Sequence, residues 1–221
     1  MKNKIEEYER LVIKRKQFKF SDIGLTNPSA TIFDINEIEP WAQWQNNIDA
    51  DILLIGQEYC DLDTYIKTQG KVERYPEIFQ YPANKNLYEY FKILGYNIGH
   101  PLKPNKTNPI FFTNAVMGLK TPPMSANFKT SWLKESREQF LSPLIDIINP
   151  KIIIAIGAGA TKTLSEIYDF KITSHNEMVN NSPIKSNGQL IFPVFHTGGL
   201  GLRNRSKNLQ INDWGKIKNW L

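Results

Sequence analysis

The sequence predicts an α/β fold, a three-layer αβα sandwich around a short, mainly parallel four-stranded sheet. Four apolar runs are rich in β-branched or aromatic residues and nearly continuous, which is typical of strands buried on both faces of a parallel sheet. Helix-like segments lie between these runs, and such alternation of strands and helices favours one α/β domain. The four runs are Asp51–Gly56, Ile110–Val116, Lys151–Gly157 and Leu190–His196.

Helices are predicted before and between these strands. A helix over Ile5–Phe20 has acidic residues early and basic residues late, the charge order that stabilises a helix dipole. Residues 1–50 are predicted as a helical lead-in and residues 51–205 as the core of a single domain, 1–221. The other predicted helices are Asn84–Leu94, Ser131–Ile148 and Thr161–Tyr168.

Composition and charge exclude several classes of protein. There are 27 Lys and Arg against 22 Asp and Glu, and the resulting net charge of +5 permits an anionic partner such as DNA. The single cysteine, Cys60, excludes a disulfide framework, a cysteine-rich zinc site and a cysteine-ligated iron–sulfur cluster. With three histidines there is little material for a histidine metal site, so no metal and no cofactor are expected.

The sequence also indicates a location away from membranes. The longest apolar run, Ile152–Ala160, is far shorter than the roughly 20 residues that a membrane-spanning helix needs. The N-terminus is charged where a secretory signal would be apolar. We therefore expect a cytoplasmic protein with no membrane partner, and a monomer is the default expectation.

Ligands of open α/β sheets bind beyond the carboxyl ends of the strands, which directs attention to the loops there. After the first run, Gln57, Glu58 and Asp61 supply an amide and two carboxylates. Such acids can activate water or stabilise a developing cation, although a solvated loop would have the same composition. Within the second run, Asn114 is a polar amide that either satisfies local backbone groups or binds the polar edge of a ligand.

The last run leads into a glycine-rich loop. His196 leaves the strand, and the loop then carries the apolar residues Leu200 and Leu202 and the basic residues Arg203 and Arg205. Glycines allow close approach to phosphate, arginines pair with it, and an apolar side chain can wedge between bases. The combination favours nucleic-acid binding over a plain surface loop.

Two other features have simpler explanations. Gly157–Thr163 follows a strand and opens a helix, but it lacks both the Walker A glycine before the lysine and the third glycine of a dinucleotide fingerprint, so we interpret it as a close turn. Cys60 has no recognisable activating base, so we interpret it as a small residue that lines a pocket.

Together these segments resemble the uracil-DNA glycosylase superfamily. The resemblance lies in four motifs in the same order along the chain, between about Asp51 and Arg205. They are Leu54–Glu58, Thr113–Val116, Pro150–Gly157 and Phe195–Gly198.

The resemblance implies an αβα domain that hydrolyses the N-glycosidic bond of a damaged or modified base flipped out of DNA, without a metal. By position, Gln57 would hold the base or its oxyanion side through its amide and backbone, and Asn114 would bind the polar edge of the base. Glu58 would position water or counter the sugar cation. His196 would stabilise negative charge on the departing base.

The same resemblance assigns the loop to DNA. Leu200 or Leu202 would intercalate, while Arg203 and Arg205 would contact phosphates. No amine nucleophile stands at a matched position, which implies a monofunctional enzyme.

The chain departs from the family pattern after Gln57. Best-known members have aspartate, proline and a thymine-excluding tyrosine where this chain has Glu58, Tyr59 and Cys60. Tyr59 and Cys60 would therefore border the base, and the small Cys60 implies a wider pocket. Asp61 is a second candidate for the acid.

Two other functions stay open at this point. A non-catalytic module that binds DNA or a nucleotide would keep the fold without cutting, and a hydrolase of free nucleosides is a weaker alternative. Product analysis separates the first from an enzyme. Salt dependence of binding distinguishes a hydrolase of free nucleosides from a DNA-binding protein, because a protein that neutralises several phosphates loses affinity as salt rises.

Overall fold

The computed structural model describes residues 2–123, 126 and 128–221. Its helices of five or more residues are α1 (Lys2–Gln17), α2 (Leu62–Thr68), α3 (Pro82–Ile93), α4 (Thr130–Ser136), a π-helical turn (Arg137–Leu141), α5 (Ser142–Ile148), α6 (Gly157–Tyr168), α7 (His175–Asn180), α8 (Gly199–Asn204) and α9 (Lys207–Lys218). The strands are β1 (Leu25–Thr26), β2 (Ile52–Glu58), β3 (Gly99–His100), β4 (Lys103–Pro104), β5 (Ile110–Val116), β6 (Leu119–Lys120), β7 (Ile152–Ile156), β8 (Ile184–Ser186) and β9 (Gln189–Val194). Short 3-10 turns cover Pro28–Ala30 and Pro40–Gln43.

The central sheet has the order β5-β2-β7-β9-β8. The four predicted strands are confirmed, and all three pairings among them are parallel. The strands are short and almost wholly buried, as the apolar runs indicated. The carboxyl ends of β2, β7 and β9 therefore lie along one edge of the sheet.

The prediction of four strands is wrong, because β8 adds a fifth strand antiparallel to β9. This strand has three residues and none of them is buried, so it has no apolar run of its own. The turn between β8 and β9 is Asn187-Gly188, and both residues have positive φ, 49° and 79°. Asn-Gly is the dipeptide that favours a tight hairpin turn, and it was the available signal for this strand.

Helices cover both faces of the sheet, which confirms the α/β class. One apolar layer joins α1, α4, α5 and α6 to the sheet, with Trp132, Phe140 and Leu164 among its buried residues. The opposite layer joins α3 and α9 to the other face, where Phe91 and Trp214 pack edge to face. The N-terminal residues belong to this body as well, because Tyr8 of α1 packs against Phe111 of β5.

All four predicted helices differ from the observed ones at their boundaries, and α3 and α6 begin earlier than predicted, at Pro82 and Gly157. The N-terminal helix ends at Gln17 instead of Phe20, and the long segment Ser131–Ile148 is interrupted by the π-helical turn. Among the described residues, no helix has both the length and the apolar character that crossing a membrane requires.

Candidate active site

A cavity of about 790 Å³ opens at the carboxyl edge of the sheet. Two predicted segments meet there, one after β2 and the other after β9. The last residues of β2 and the loop behind them supply one wall, and α8 with the residues before it supplies the opposite wall. The predicted site residues that line this cavity are Gln57, Glu58, Tyr59, Cys60, His196 and Leu200.

Glu58 is the last residue of β2, and its carboxylate lies at the cavity with 11% of the side chain exposed. Its Oε2 is 3.2 Å from the Nζ of Lys120, which is fully buried and also donates to the carbonyl of Ala126 at 3.2 Å. Burial raises the pKa of Glu58 above its ordinary value, and the Lys120 ammonium opposes that shift. The site thus holds a desolvated carboxylate whose ionised form depends on a buried cation.

Asp61, the second candidate for the acid, lies at the start of α2 and not at the cavity. It is the N-cap of α2, and its Oδ1 accepts a hydrogen bond from the backbone N–H of Thr64 at 2.7 Å. Its backbone also pairs with Lys120 of β6. Asp61 is not among the residues that line the cavity. Of the two candidate acids, Glu58 is the one that the fold brings to the cavity.

His196 lies two residues after Val194, the buried end of β9, and its Nδ1 accepts a hydrogen bond from the backbone N–H of Gly198 at 2.9 Å. In the neutral ring this contact places the proton on Nε2, which is then a donor. The ring is open to solvent on the cavity side, yet the protein around it disfavours the charged form and lowers the pKa of His196. His196 is thus a neutral hydrogen-bond donor at physiological pH.

Glycine is required where α8 packs on this segment. A Cβ at Gly201 would lie 1.8 Å from the carbonyl oxygen of His196, so a side chain there would displace the helix or the histidine. The glycine-rich loop therefore sets the distance between α8 and His196.

Gln57 packs against the first turn of α6. A Cβ at Gly159 would lie 2.3 Å from the Gln57 Oε1, and Gly157 has a φ of +84° where the strand turns into the helix. The glycines of the Gly157–Thr163 segment thus allow a close turn and leave room for a side chain of the cavity. The turn is confined to the junction of Ile156 and Gly157, because α6 begins at Gly157 and the rest of the predicted turn segment is helical.

Asn114 lies in the middle of β5, in register with Gly56 of β2, and it is completely buried. Its Nδ2 donates to the Oε2 of Glu39 at 3.0 Å. Its Oδ1 has no hydrogen-bond partner among the described residues, a state that costs about 1–3 kcal/mol for a buried polar atom. Asn114 is not itself a lining residue, although its neighbour Gly56 is.

Glu39 is equally buried. Burial raises the pKa of its carboxyl to about 8, and the backbone N–H groups of Trp41 and Ala42 and the amide of Asn114 oppose the shift. Both protonation states retain an oxygen that accepts from the Asn114 Nδ2. This contact therefore does not require the ionised form.

The basic and apolar residues of the last loop differ in their exposure and in their contacts with the rest of the protein. Leu200 is 72% exposed at the cavity, whereas Leu202 is half-buried. Arg203 is exposed. Arg205, by contrast, binds Asp213 through Nε at 2.5 Å and Nη2 at 2.7 Å, and it also donates to Asn176 and Asn180. Leu200 and Arg203 are thus exposed to solvent, while Arg205 ties α7, α8 and α9 together.

Several residues of this region were missed by sequence reasoning. Trp41 and His175 line the cavity, Glu39 binds Asn114, and Lys120 pairs with Glu58. Glu39, Trp41 and His175 lie outside the four motifs in sequence. Lys120 lies four residues after the motif Thr113–Val116, but no local pattern marks it as the partner of Glu58. His175 packs edge to face on Phe195, and its Nε2 lies 3.2 Å from the carbonyl of Val194.

Comparison with known proteins agrees with the geometry. The sequence profile of the uracil DNA glycosylase superfamily matches residues 44–218. A type-4 uracil-DNA glycosylase of Thermotoga maritima is 38% identical over 85 residues, which is 37% of this chain. The aligned part spans 42% of that relative's length. The profile matches most of the chain, and the motifs lie on a mainly parallel sheet, so the protein belongs to the uracil-DNA glycosylase superfamily.

Proposed function

We propose that the protein is a monofunctional DNA glycosylase, which hydrolyses the N-glycosidic bond of uracil or a related modified base flipped out of DNA and leaves an abasic site. The observation that carries the proposal is that Glu58 of β2 and His196, which follows β9, line the same cavity. The family match supports the same reaction class. A carboxylate and a neutral imidazole donor are the two groups that such a bond cleavage uses.

His196 stabilises the departing base. As the bond between C1′ and the base breaks, the electron pair moves onto the base, and negative charge develops on its carbonyl oxygen. A preorganised donor such as the Nε2–H of His196 stabilises that charge without a change of its own protonation state. The lowered pKa of His196 supports this role, since the ring is neutral before the reaction.

Glu58 stabilises the positive charge that develops on the sugar. The transition state has oxocarbenium character, and a nearby carboxylate stabilises the positive charge. Glu58 then accepts a proton from the attacking water, whose oxygen bonds to C1′. The departed base takes up one proton overall, so one water molecule is consumed for each base released.

Leu200 and Arg203 support the assignment of DNA as the partner. An exposed leucine beside a cavity can occupy the space that a flipped base leaves in the stack. The exposed guanidinium of Arg203 is placed to pair with a phosphate. Arg205 contributes indirectly, because it holds α8 against α9.

Replacement of Lys120 by Met is expected to shift the acidic limb of the pH–rate profile by about one unit toward higher pH. Glu58 must be ionised to act, so activity is lost as pH falls through its raised pKa. Removal of the Lys120 ammonium takes away the interaction that lowers this pKa, and the loss then begins at a higher pH. The measurement is kcat/KM for base excision between pH 4.5 and 9.

Lys129→Met is the matched control, because Lys129 pairs with Asp22 at 2.9 Å on the surface. That variant should keep the wild-type profile. An acidic limb that stays in place in Lys120→Met would show that the ion pair does not govern Glu58.

The cavity also supports a substrate wider than uracil. Beyond Cys60 it continues to Thr64, Thr68 and Val72, next to α2. Cys60 itself is buried and small, and burial raises the pKa of its thiol, so it acts as an inert wall. A base with a bulky uncharged substituent fits this lining of hydroxyl and apolar groups.

Cys60→Phe is expected to reduce excision of pyrimidines with large 5-substituents at least tenfold more than excision of uracil, because the added ring fills the space toward α2. Cys60→Ser, which keeps the volume, is the control and should preserve the ratio of the two rates. Equal losses on both substrates in Cys60→Phe would contradict the proposed direction of the pocket. The readout is single-turnover excision from matched oligonucleotides.

Incubation with a panel of oligonucleotides tests the proposed function. Single- and double-stranded substrates carry uracil, hypoxanthine, xanthine or 5-substituted pyrimidines, and alkali then cuts the strand at abasic sites. We expect cleavage at one or more of these bases. Binding of DNA without cleavage would favour a binding module, and neither binding nor cleavage would contradict the proposal.

A further inference from the structure

Glu73 and Asn84 form a hydrogen-bonded pair beside the cavity, and the mechanism above does not use it. Glu73 is completely buried, and Asn84, near the start of α3, is 5% exposed. The Nδ2 of Asn84 donates to the Oε1 of Glu73 at 3.0 Å and to the backbone carbonyl of Val72 at 3.1 Å. The protein therefore uses both hydrogens of this amide.

These contacts fix the direction of the Asn84 amide. A backbone carbonyl only accepts hydrogen bonds, so the group that faces Val72 is the NH₂ group, whatever the protonation state of Glu73. The Glu73 side chain is itself held in place, because its oxygens accept from the backbone N–H groups of Gln80 at 3.2 Å and Tyr81 at 3.4 Å. Rotation of the amide by 180° would set its Oδ1 against the Val72 oxygen and forfeit that hydrogen bond.

The Oδ1 of Asn84 remains available to a ligand. Asn84 lines the cavity, in the region beyond Cys60 that also contains Thr68 and Val72. Within the described part of the chain no group donates to this oxygen, and it is not among the buried polar atoms that lack a partner. The small part of Asn84 that stays accessible thus includes an acceptor of fixed direction at the cavity.

We propose that Asn84 is a specificity-determining residue whose Oδ1 accepts a hydrogen bond from a substituent of the base, so that the cavity selects substituents with an O–H or N–H group. This inference rests on the proposed function. Cys60 is small, so a substituent at the 5-position of a pyrimidine passes it and reaches this acceptor. An alkyl substituent of the same size would displace water from Oδ1 without replacing its hydrogen bond, and such a base is disfavoured.

Excision of 5-hydroxymethyluracil and 5-ethyluracil from the same oligonucleotide tests the inference. The two substituents have nearly the same size, but only the hydroxymethyl group can donate a hydrogen bond. We expect single-turnover excision by the wild type to be about tenfold faster for the hydroxymethyl base, the effect of one hydrogen bond to a neutral acceptor. A ratio near one would overturn the inference without the use of any variant.

Asn84→Leu assigns the preference to its source. Leucine keeps the approximate volume and removes the acceptor, so the ratio of the two excision rates is expected to fall to within about twofold of one. A ratio that stays at its wild-type value would show that another group selects the hydroxyl, and it would overturn the inference. Thermal unfolding shows whether the variant is folded, and Asn84→Ala, with the same expected ratio, replaces it if it is not.

Asn108 supplies a matched control. Its Nδ2 also donates to two carbonyl oxygens, those of Asn97 at 3.0 Å and Asn105 at 2.9 Å, and it does not line the cavity. Asn108→Leu removes a similarly placed pair of hydrogen bonds, and we expect the ratio to keep its wild-type value. A fall of the ratio in Asn108→Leu as large as that in Asn84→Leu would indicate a general effect of lost stability and would overturn the inference.

The outcomes separate the inference from the proposed function. A wild type that excises a base but shows no preference for the hydroxyl overturns the inference alone, whereas a wild type that excises no base contradicts the proposed function. If neither 5-substituted base is released, the two oligonucleotides are compared by competition for binding. A preference for the hydroxymethyl oligonucleotide that is lost in Asn84→Leu is then expected, and equal affinities in the wild type, or a preference unchanged in the variant, would overturn the inference.

Discussion

Replacement of Glu58 by Gln is expected to lower the rate of base excision about 10³-fold, with DNA affinity within about twofold of wild type. The amide has nearly the same shape, but it can neither accept the proton of water nor counter the charge of an oxocarbenium-like sugar. Loss of the carboxylate that lies 3.2 Å from the Lys120 ammonium also makes the net charge near the reacting sugar more positive. Single-turnover kinetics and a binding titration measure the two quantities separately.

Asp61→Asn is the control for this prediction. Asparagine is as good an N-cap as aspartate, so α2 should remain intact. Because Asp61 caps α2 and does not line the cavity, excision should stay within a few-fold of wild type. A large loss in Asp61→Asn with full activity in Glu58→Gln would reverse the assignment of the acid.

His196→Ala is expected to reduce excision by about 10²–10³-fold, the loss typical for removal of one preorganised donor to a developing anion. The effect should fall on the chemical step, because the base is held by other groups of the cavity. His196→Gln retains an N–H donor and should recover part of the activity. Single-turnover rates on the best substrate of the oligonucleotide panel measure the loss.

The chemistry of the leaving group provides a further check on His196. A substrate whose base is a better leaving group needs less stabilisation of negative charge, so His196→Ala should lose less activity on it. Equal losses on good and poor leaving groups would indicate that His196 positions the nucleotide instead.

Gly201→Ala is expected to resemble His196→Ala, because its Cβ would collide with the His196 carbonyl.

The sheet could be predicted from sequence because its strands are buried on both faces. A continuous β-branched run such as Ile152–Ile156 is incompatible with a solvated strand, and it identified β7 directly. The exposed edge strand β8 has no such run. Helix α9 was also missed, because its buried face mixes Trp214 and Ile217 with the polar residues Gln210 and Asp213.

The site was predictable only where its residues follow a strand. Glu58 ends β2 and His196 lies two residues beyond the end of β9, and the rule that ligands bind at the carboxyl edge placed them together. Lys120 and Glu39 reach the site through tertiary packing, the first on the short strand β6 and the second before a 3-10 turn. Arg205 was predicted to contact phosphate because it is a basic residue in a loop. The sequence did not indicate that Asp213 of α9 would bind its side chain.

Mass spectrometry of the reaction products is the most direct test of the central claim, that the cavity at the carboxyl edge releases a base from DNA by hydrolysis. Wild-type protein and Glu58→Gln are incubated with the same substrate oligonucleotides, without alkali. We expect free base and an abasic oligonucleotide with an intact backbone from the wild type, and neither from Glu58→Gln within the same time. Intact substrate with the wild type, or equal release of base by both proteins, would contradict it.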